Sequence, residues 1–287
     1  MNHLLLSIHA AIAAGNAILQ VYRSPDFKVE LKADKSPLTL ADRNAHDIIM
    51  QHLSKFDIPV LSEEGKNMPY EKRKSWDVFW LVDPLDGTKE FIKKNGEFTV
   101  NIAMISKNKP VAGVVLVPDK NILYFASREI GSFRVDVGQI ADLLSGKSGK
   151  IGRPSDLSET EVTDILSALI GRSTNLPINE LTNQPYTIAG SRSHATPELE
   201  AFVEEKRRQY GEVEFISAGS SLKLCLVAEG RADIYPRTGP TMEWDTAAGQ
   251  AVVESAGGKV LQYETEQPLR YNKENLLNPW FVALKVD

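Results

Sequence analysis

The chain has 287 residues, with 42% hydrophobic and 25% charged side chains, a globular composition that excludes a disordered, collagenous or fibrous protein. Thirty-three Lys and Arg against 38 Asp and Glu leave a net charge of −5. No general field therefore attracts nucleic acid or anionic lipid, and any phosphate must be held locally. The single cysteine, Cys225, permits no internal disulfide and no cysteine metal cluster, which fits a reducing compartment.

In chain order, Leu4, Ile8, Ile12, Gly15, Leu19 and Tyr22 recur at helical spacing and predict a packed first helix ended by Ser24-Pro25. Leu4-Leu5-Leu6 has some look of a signal peptide, but no Lys or Arg precedes Arg23, so the basic n-region is missing. No stretch of ~18 uncharged apolar residues is evident, so no transmembrane segment is expected. A cytoplasmic protein is expected, with peripheral attachment at the inner face of a membrane left open.

Residues 42–53 read as a second helix. Apolar runs at 58–61, 78–82, 98–105, 111–117, 122–126 and 132–135 are separated by turns such as Asn108-Lys109-Pro110 and Pro118-Asp119. They predict an antiparallel meander and an α+β first part. The stretch 138–185 is polar and less legible, with short helices expected at 140–144 and 159–169. Beyond it, 213–217, 232–235 and 259–263 read as strands, and 221–229 and 245–256 as helices, the latter closed by Gly257-Gly258. That alternation predicts an α/β second part. The expected division is 1–185, an α+β domain with the antiparallel sheet, and 186–287, an α/β domain.

The most informative run is Trp80-Leu81-Val82-Asp83-Pro84-Leu85-Asp86-Gly87-Thr88. A buried strand delivers Asp83 at its end, where Pro84 fixes φ and cannot continue the ladder. Asp83 and Asp86, three apart across a tight turn, can point at one locus, with the Leu85 carbonyl as a third oxygen. An all-oxygen set suits Mg²⁺, Mn²⁺ or Ca²⁺ and not zinc. Gly87 leaves room for something to approach the backbone. Thr88 is expected at the N-cap of a helix over 89–94, whose free N–H groups form an anion site. Ser62-Glu63-Glu64-Gly65 follows another short strand, and Glu243-Trp244-Asp245 opens a helix. Each acidic spot also has a plain structural reading: turn and cap hydrogen bonds, a solvated loop, or a favourable helix-dipole position. Both readings stand on the residues alone.

Three further segments could hold phosphate: Gly190-Ser191-Arg192-Ser193-His194, Gly219-Ser220-Ser221-Leu222-Lys223 and Tyr235-Pro236-Arg237. A lysine in the first turn of a helix opposes the helix dipole, and a bound anion would reverse that sign. The alternative for each is a solvated surface charge or, for His194, a satisfied loop histidine.

Glu63-Glu64, the run from Asp83 to Thr88, and Trp244-Asp245-Thr246-Ala247-Ala248-Gly249 resemble the signatures of the inositol monophosphatase superfamily. Segments 190–194, 219–225 and 235–237 resemble those of its 3'(2'),5'-bisphosphate nucleotidases of the CysQ type. The likeness covers nearly the whole chain in three separated, correctly ordered motifs, and 138–185 departs from it.

The resemblance implies the sugar-phosphatase fold, a layered α-β-α-β-α sandwich. It makes Glu64, Asp83, Asp86, Asp245 and the Leu85 carbonyl ligands of Mg²⁺, with Glu63 less firmly assigned, and gives Asp42 and Thr88 the activation of water. Substrate contacts are implied for Glu64, Leu85, Gly87, Thr88, Ser191, His194, Ser220, Lys223, Arg237 and Asp245. The implied reaction removes the 3'-phosphate of adenosine 3',5'-bisphosphate, a by-product of sulfate assimilation, giving AMP and phosphate, with inhibition by lithium. A small-molecule substrate and no nucleic-acid partner are implied, and a monomer or a homodimer fits equally. Two alternatives remain: a phosphatase of inositol phosphates or sugar bisphosphates within the superfamily, and a non-catalytic nucleotide-sensing protein. Ser191 and His194 with Lys223 and Arg237 favour a nucleotide with two phosphates, and the full ligand set favours catalysis.

Overall fold

A computed structural model of the chain describes residues 1–24, 29–31, 37–65, 68–144, 157–178, 185–191 and 197–286. The first helix, α1 (Asn2–Tyr22), ends before Ser24 as expected and buries most of its circumference. By length and a mean hydropathy of 1.7 alone it would suffice to cross a membrane, a stretch the sequence reading did not single out. The apolar surface is nevertheless covered, because 72% of that window is buried within the protein. A short antiparallel pair, β1 (Val29–Leu31) and β2 (Pro37–Thr39), leads into α2 (Leu40–Leu53).

Seven strands then form one sheet: β3 (Val60–Ser62), β4 (Val78–Asp86), β5 (Thr99–Ser106), β6 (Lys109–Val117), β7 (Ile122–Ser127), β8 (Gly131–Asp136) and β9 (Thr174–Asn175), paired in that order. β4 to β8 are the expected antiparallel meander, and β3 joins β4 in parallel. Short helices α3 (Tyr70–Arg73) and α4 (Thr88–Ile92) flank β4. The less legible stretch contains α5 (Ala141–Leu144) and α6 (Glu159–Gly171), at the two positions expected for helices.

Alternation along β4 sends Trp80 and Val82 to one face and Phe79 and Leu81 to the other, as the two-residue period of a strand requires. The first face packs on α1, α2 and α6, and the second on α8 (Leu222–Ala228) and α9 (Glu243–Ser255). Both faces are covered, which explains why these strands read as nearly continuous apolar runs. Beyond α8 and α9 lies a second sheet, ordered β11 (Val213–Ala218), β10 (Tyr186–Ser191), β12 (Ile234–Arg237), β14 (Phe281–Leu284) and β13 (Lys259–Gln262). Its first three strands run parallel, and α7 (Pro197–Tyr210) closes the outer side through Phe202 against Ile188 and Ile234. The layers are therefore α-β-α-β-α, the sandwich implied by the resemblance. The sequence reading assigned no element to β1, β2, α3, β9, β10, α7 or β14.

The middle layer sits very close to the first sheet. A Cβ on Gly113 of β6 would stand 2.5 Å from the Ala248 carbonyl oxygen and 2.7 Å from Ala251 Cβ, both on α9. Gly113→Ala should push α9 outward and cost about 1–3 kcal/mol, the usual penalty of overpacking. Denaturant unfolding should show a lower midpoint with an unchanged slope. A midpoint equal to the parent's would mean that α9 is not held against β6 by this contact.

Candidate metal and phosphate site

The site begins with an irregularity in β4. Asp83 pairs with Asn101 and Asp86 with Thr99, so Pro84 and Leu85 face Val100 alone across the ladder. In a regular strand, residues three apart point to opposite faces; the extra residue of a bulge restores them to the same face. Pro84, which has no N–H to offer the ladder, fits there. The strand thus continues to Asp86 instead of ending at Asp83, and both aspartates reach the α8 and α9 side.

Glu63 arrives from the neighbouring strand. Its N–H donates to the Val82 carbonyl at 3.1 Å, and the turn after it closes through Gly65 N–H to Ser62 O at 3.0 Å. Asp245 arrives from the first turn of α9. Carboxylate oxygens of Glu63, Asp83 and Asp245 all lie within 4.8 Å of one another. Glu64 is outside this group, so of the two adjacent glutamates the structure brings Glu63 to the cluster. Burial, then the charges of Glu63, Asp86 and Asp245, push the Asp83 carboxyl well above the usual carboxylate range. Burial and Asp86 do the same to Asp245. Oxygen donors buried together and repelling one another fit a hard divalent cation, whose charge would offset that repulsion.

In each aspartate a backbone N–H ties one oxygen. Leu85 N–H donates to Asp83 Oδ1 at 3.0 Å, Ser221 N–H to Asp86 Oδ2 at 2.6 Å, and Met242 N–H to Asp245 Oδ2 at 2.8 Å. The fixed oxygen sets the direction of the other. Glu243, two residues before Asp245, is fully buried and turned elsewhere. It accepts from the N–H groups of Asn272 at 2.6 Å and Lys273 at 3.0 Å and from Lys273 Nζ at 2.6 Å, anchoring the start of α9.

Asp42 and Thr88, separated by 46 positions, meet beside this cluster. Asp42 Oδ2 accepts from Thr39 N–H at 2.7 Å and Thr39 Oγ1 at 2.6 Å, a capping box at the start of α2. Thr88 Oγ1 lies 3.3 Å from Asp42 Oδ1 and 3.4 Å from the Leu85 carbonyl. Thr88 is not an N-cap. Gly87 occupies that position with φ 89°, in the left-handed region open to glycine, and Thr88 is the first residue of α4. The Thr88 hydroxyl is thereby released from capping and directed at Asp42.

A cleft of about 140 Å³ opens next to the carboxylates. Gly87, Ser191, Ser220, Lys223, Arg237 and Asp245 line it, bringing together six of the expected substrate contacts from both sheets. Lys223 is 5% exposed, and Nζ donates to the carbonyls of Ser220 at 2.7 Å and Ala218 at 3.2 Å. Burial lowers its pKa to about 8. Arg237 donates from Nη2 to Pro240 O at 2.8 Å. Ser220 Oγ, Arg237 Nε and Thr241 Oγ1 are buried without a hydrogen-bond partner among the described residues, and all three residues line this cleft. Such a concentration of unused buried polar atoms suits a polar ligand. His194 lies outside the described residues. Sequence reasoning did not find Thr241 or Glu90 as lining residues; neither belongs to a motif, and only the folded arrangement places them here.

The model of the inositol monophosphatase family matches residues 2–280. The chain is similar to the 3'(2'),5'-bisphosphate nucleotidase CysQ of Shigella flexneri, 44% identical over 272 residues that cover 93% of this chain and 94% of that protein. The corresponding protein of Escherichia coli K12 is 43% identical with the same coverage. The crystal structure of CysQ from Bacteroides thetaiotaomicron, a bacterial member of the inositol monophosphatase family, superimposes with a TM-score of 0.84 at 47% identity, covering 99% of this chain and 97% of that one. With the layered fold, the acidic cluster and a match along nearly its full length, the chain belongs to the inositol monophosphatase family.

Proposed function

We propose that the protein is a Mg²⁺-dependent phosphatase that removes the 3'-phosphate of adenosine 3',5'-bisphosphate to give AMP and phosphate, a cytoplasmic step that clears a by-product of sulfate assimilation. The observation that carries this reading is the Glu63, Asp83 and Asp245 cluster, flanked by Asp86, at the mouth of a cleft that also holds Lys223 and Arg237. The printed names of the similar nucleotidases support the substrate. The reading divides the work between 1–185, which brings most of the carboxylates, and 186–287, which brings the phosphate-binding cations. A monomer or a homodimer is compatible with it.

Glu64, Asp83, Asp86, Asp245 and the Leu85 carbonyl would hold the cation, joined by Glu63, whose carboxylate lies within 4.8 Å of those of Asp83 and Asp245. When bound, the cation supplies Lewis acidity, neutralising the phosphoryl oxygens and making water more acidic. Thr88 Oγ1 directs its own proton at Asp42 Oδ1, so a water proton taken up at Thr88 has an acceptor behind it. Backbone N–H groups of Gly87 and Thr88 would hold the phosphoryl oxygens. Lys223 and Arg237 would anchor the non-reacting phosphate, Ser191 and Ser220 would add hydroxyl contacts, and His194 would seat the nucleoside.

Asp83→Asn and Asp245→Asn should each nearly abolish turnover at saturating Mg²⁺. Without metal, their unfolding midpoints should stay level or rise, because each removes one of several mutually repelling charges. Near-normal phosphate release from either variant would end the metal assignment.

Lys223→Ala should lose the charge-assisted contact to the second phosphate, about 1.5–3 kcal/mol or roughly 10- to 150-fold in kcat/KM. A 3'-nucleotide without the second phosphate should lose little; equal losses on both substrates would reassign Lys223 to the chemistry or the fold. The same residue predicts a pH effect. The ammonium carries its charge below its pKa of about 8 and loses it above, so kcat/KM for the bisphosphate should fall as pH rises through that value. Lys223→Arg, charged throughout, should remove that limb of the profile.

Lithium chloride should inhibit the Mg²⁺-activated enzyme at concentrations where potassium chloride does not. Li⁺ is close to Mg²⁺ in size but has half its charge, so it would fill oxygen-lined space without matching the neutralisation. Superimposable inhibition curves for the two salts would count against the assigned cation.

A further inference from the structure

Asp86 belongs to the first sheet and Asp245 to α9, and a single hydroxyl stands between them. Ser221 Oγ lies 2.8 Å from Asp86 Oδ2 and 2.5 Å from the Asp245 main-chain carbonyl. Asn101 Nδ2 donates to Ser221 Oγ at 2.9 Å and lies 3.4 Å from the same Asp86 Oδ2. Ser221 and Asn101 are buried, at 3% and 1% exposure, so water does not replace these contacts.

The donor count makes the arrangement directional. A hydroxyl has one proton and two lone pairs, and a carboxylate only accepts. Asn101 occupies a lone pair of Ser221, which leaves the single Ser221 proton to be shared, in a three-centre bond, between Asp86 Oδ2 and the Asp245 carbonyl. Every hydrogen bond to the Asp86 side chain among the described residues ends on Oδ2: from Ser221 N–H, Ser221 Oγ, Asn101 Nδ2 and, at 3.5 Å, Thr99 Oγ1. Oδ1 is thus the oxygen left to a cation.

We infer that Ser221, backed by Asn101, is a positioning residue: it sets the rotation of the Asp86 carboxylate and couples it to the backbone of Asp245, fixing the spacing of cation ligands from β4 and α9. This rests on the proposed reading of the carboxylate cluster as a cation site. Groups that orient metal ligands without touching the metal typically change metal affinity or activity by 10- to 100-fold when removed.

The test is Mn²⁺ binding to the full chain, followed by electron paramagnetic resonance of the free ion, for the parent, Ser221→Ala, Asn101→Ala and the double variant. Ser221→Ala should raise the Mn²⁺ Kd by roughly 10- to 100-fold. Asn101→Ala should raise it less, and the losses in the double variant should be less than additive, because Asn101 acts partly through the Ser221 hydroxyl and partly on Asp86 itself. Unfolding midpoints in EDTA separate this from a purely structural role, which would lower the midpoint and leave the Kd unchanged. An unchanged Kd in Ser221→Ala, or fully additive losses in the double variant, overturns the inference. If Ser221→Ala does not fold, an unchanged Kd in Asn101→Ala overturns it alone. Failure of the parent itself to bind Mn²⁺ would instead overturn the cation site on which the inference rests.

Discussion

Like charges held together underground are the constraint around which this molecule is organised. Glu63, Asp83 and Asp245 come from three separate parts of the chain, yet their oxygens lie within 4.8 Å of one another. Nothing in such a group favours its own assembly, because desolvation and mutual repulsion both oppose the ionised forms. The opposing force is the apolar packing behind it: α1 and α2 on one face of the first sheet, α8 and α9 on the other. Hydrophobic burial is non-directional, so it brings the layers together, and the backbone N–H groups on each aspartate then supply direction.

The two sheets contribute different chemistry to one cleft. The first delivers acidic groups from the bulge in β4 and the turn after β3. The second delivers Arg237, at the end of β12, and the helix layer between the sheets delivers Lys223, at the start of α8, and Asp245, in the first turn of α9. Asp245 is the acidic group that this layer brings to the cleft. Its position depends on Glu243, which binds the loop at 272–273, and that loop is in turn held by Arg73, whose guanidinium donates to Asn272 Oδ1 at 2.9 Å and Lys273 O at 2.7 Å. A residue well outside the cleft thus braces the helix that carries a candidate ligand.

How much of this was legible in the sequence follows from how local each feature is. The meander, the two long helices before it and the Asp83 to Thr88 run were readable because apolar alternation, a proline and adjacent glycine all act within a few residues. Which of Glu63 and Glu64 enters the cluster was not readable, since only the pairing of β3 with β4 decides it. β10 was hidden because Gly190 and Ser191 read as turn residues, and pairing with Ser217 and Ala218 of β11 makes them strand. α7 buries just Leu199 and Phe202 among its described core contacts, leaving little periodic signal. β14 is a four-residue return strand whose partners, β12 and β13, lie earlier in the chain.

The bulge in β4 has the character of a parity bit. Strand side chains have only two states, this face or that one, and the Pro84-Leu85 pair opposite Val100 inverts the count for everything that follows. A one-residue deletion there would leave composition, hydropathy and net charge almost untouched, yet would change the face to which Asp86 is assigned. The spacing between Asp83 and Asp86 is therefore constrained by the discreteness of the pleat as much as by any ion. Apolar side chains along this strand can change in size by degrees, whereas the number of residues between those aspartates changes only by whole residues, and counting errors, unlike size errors, have no small version.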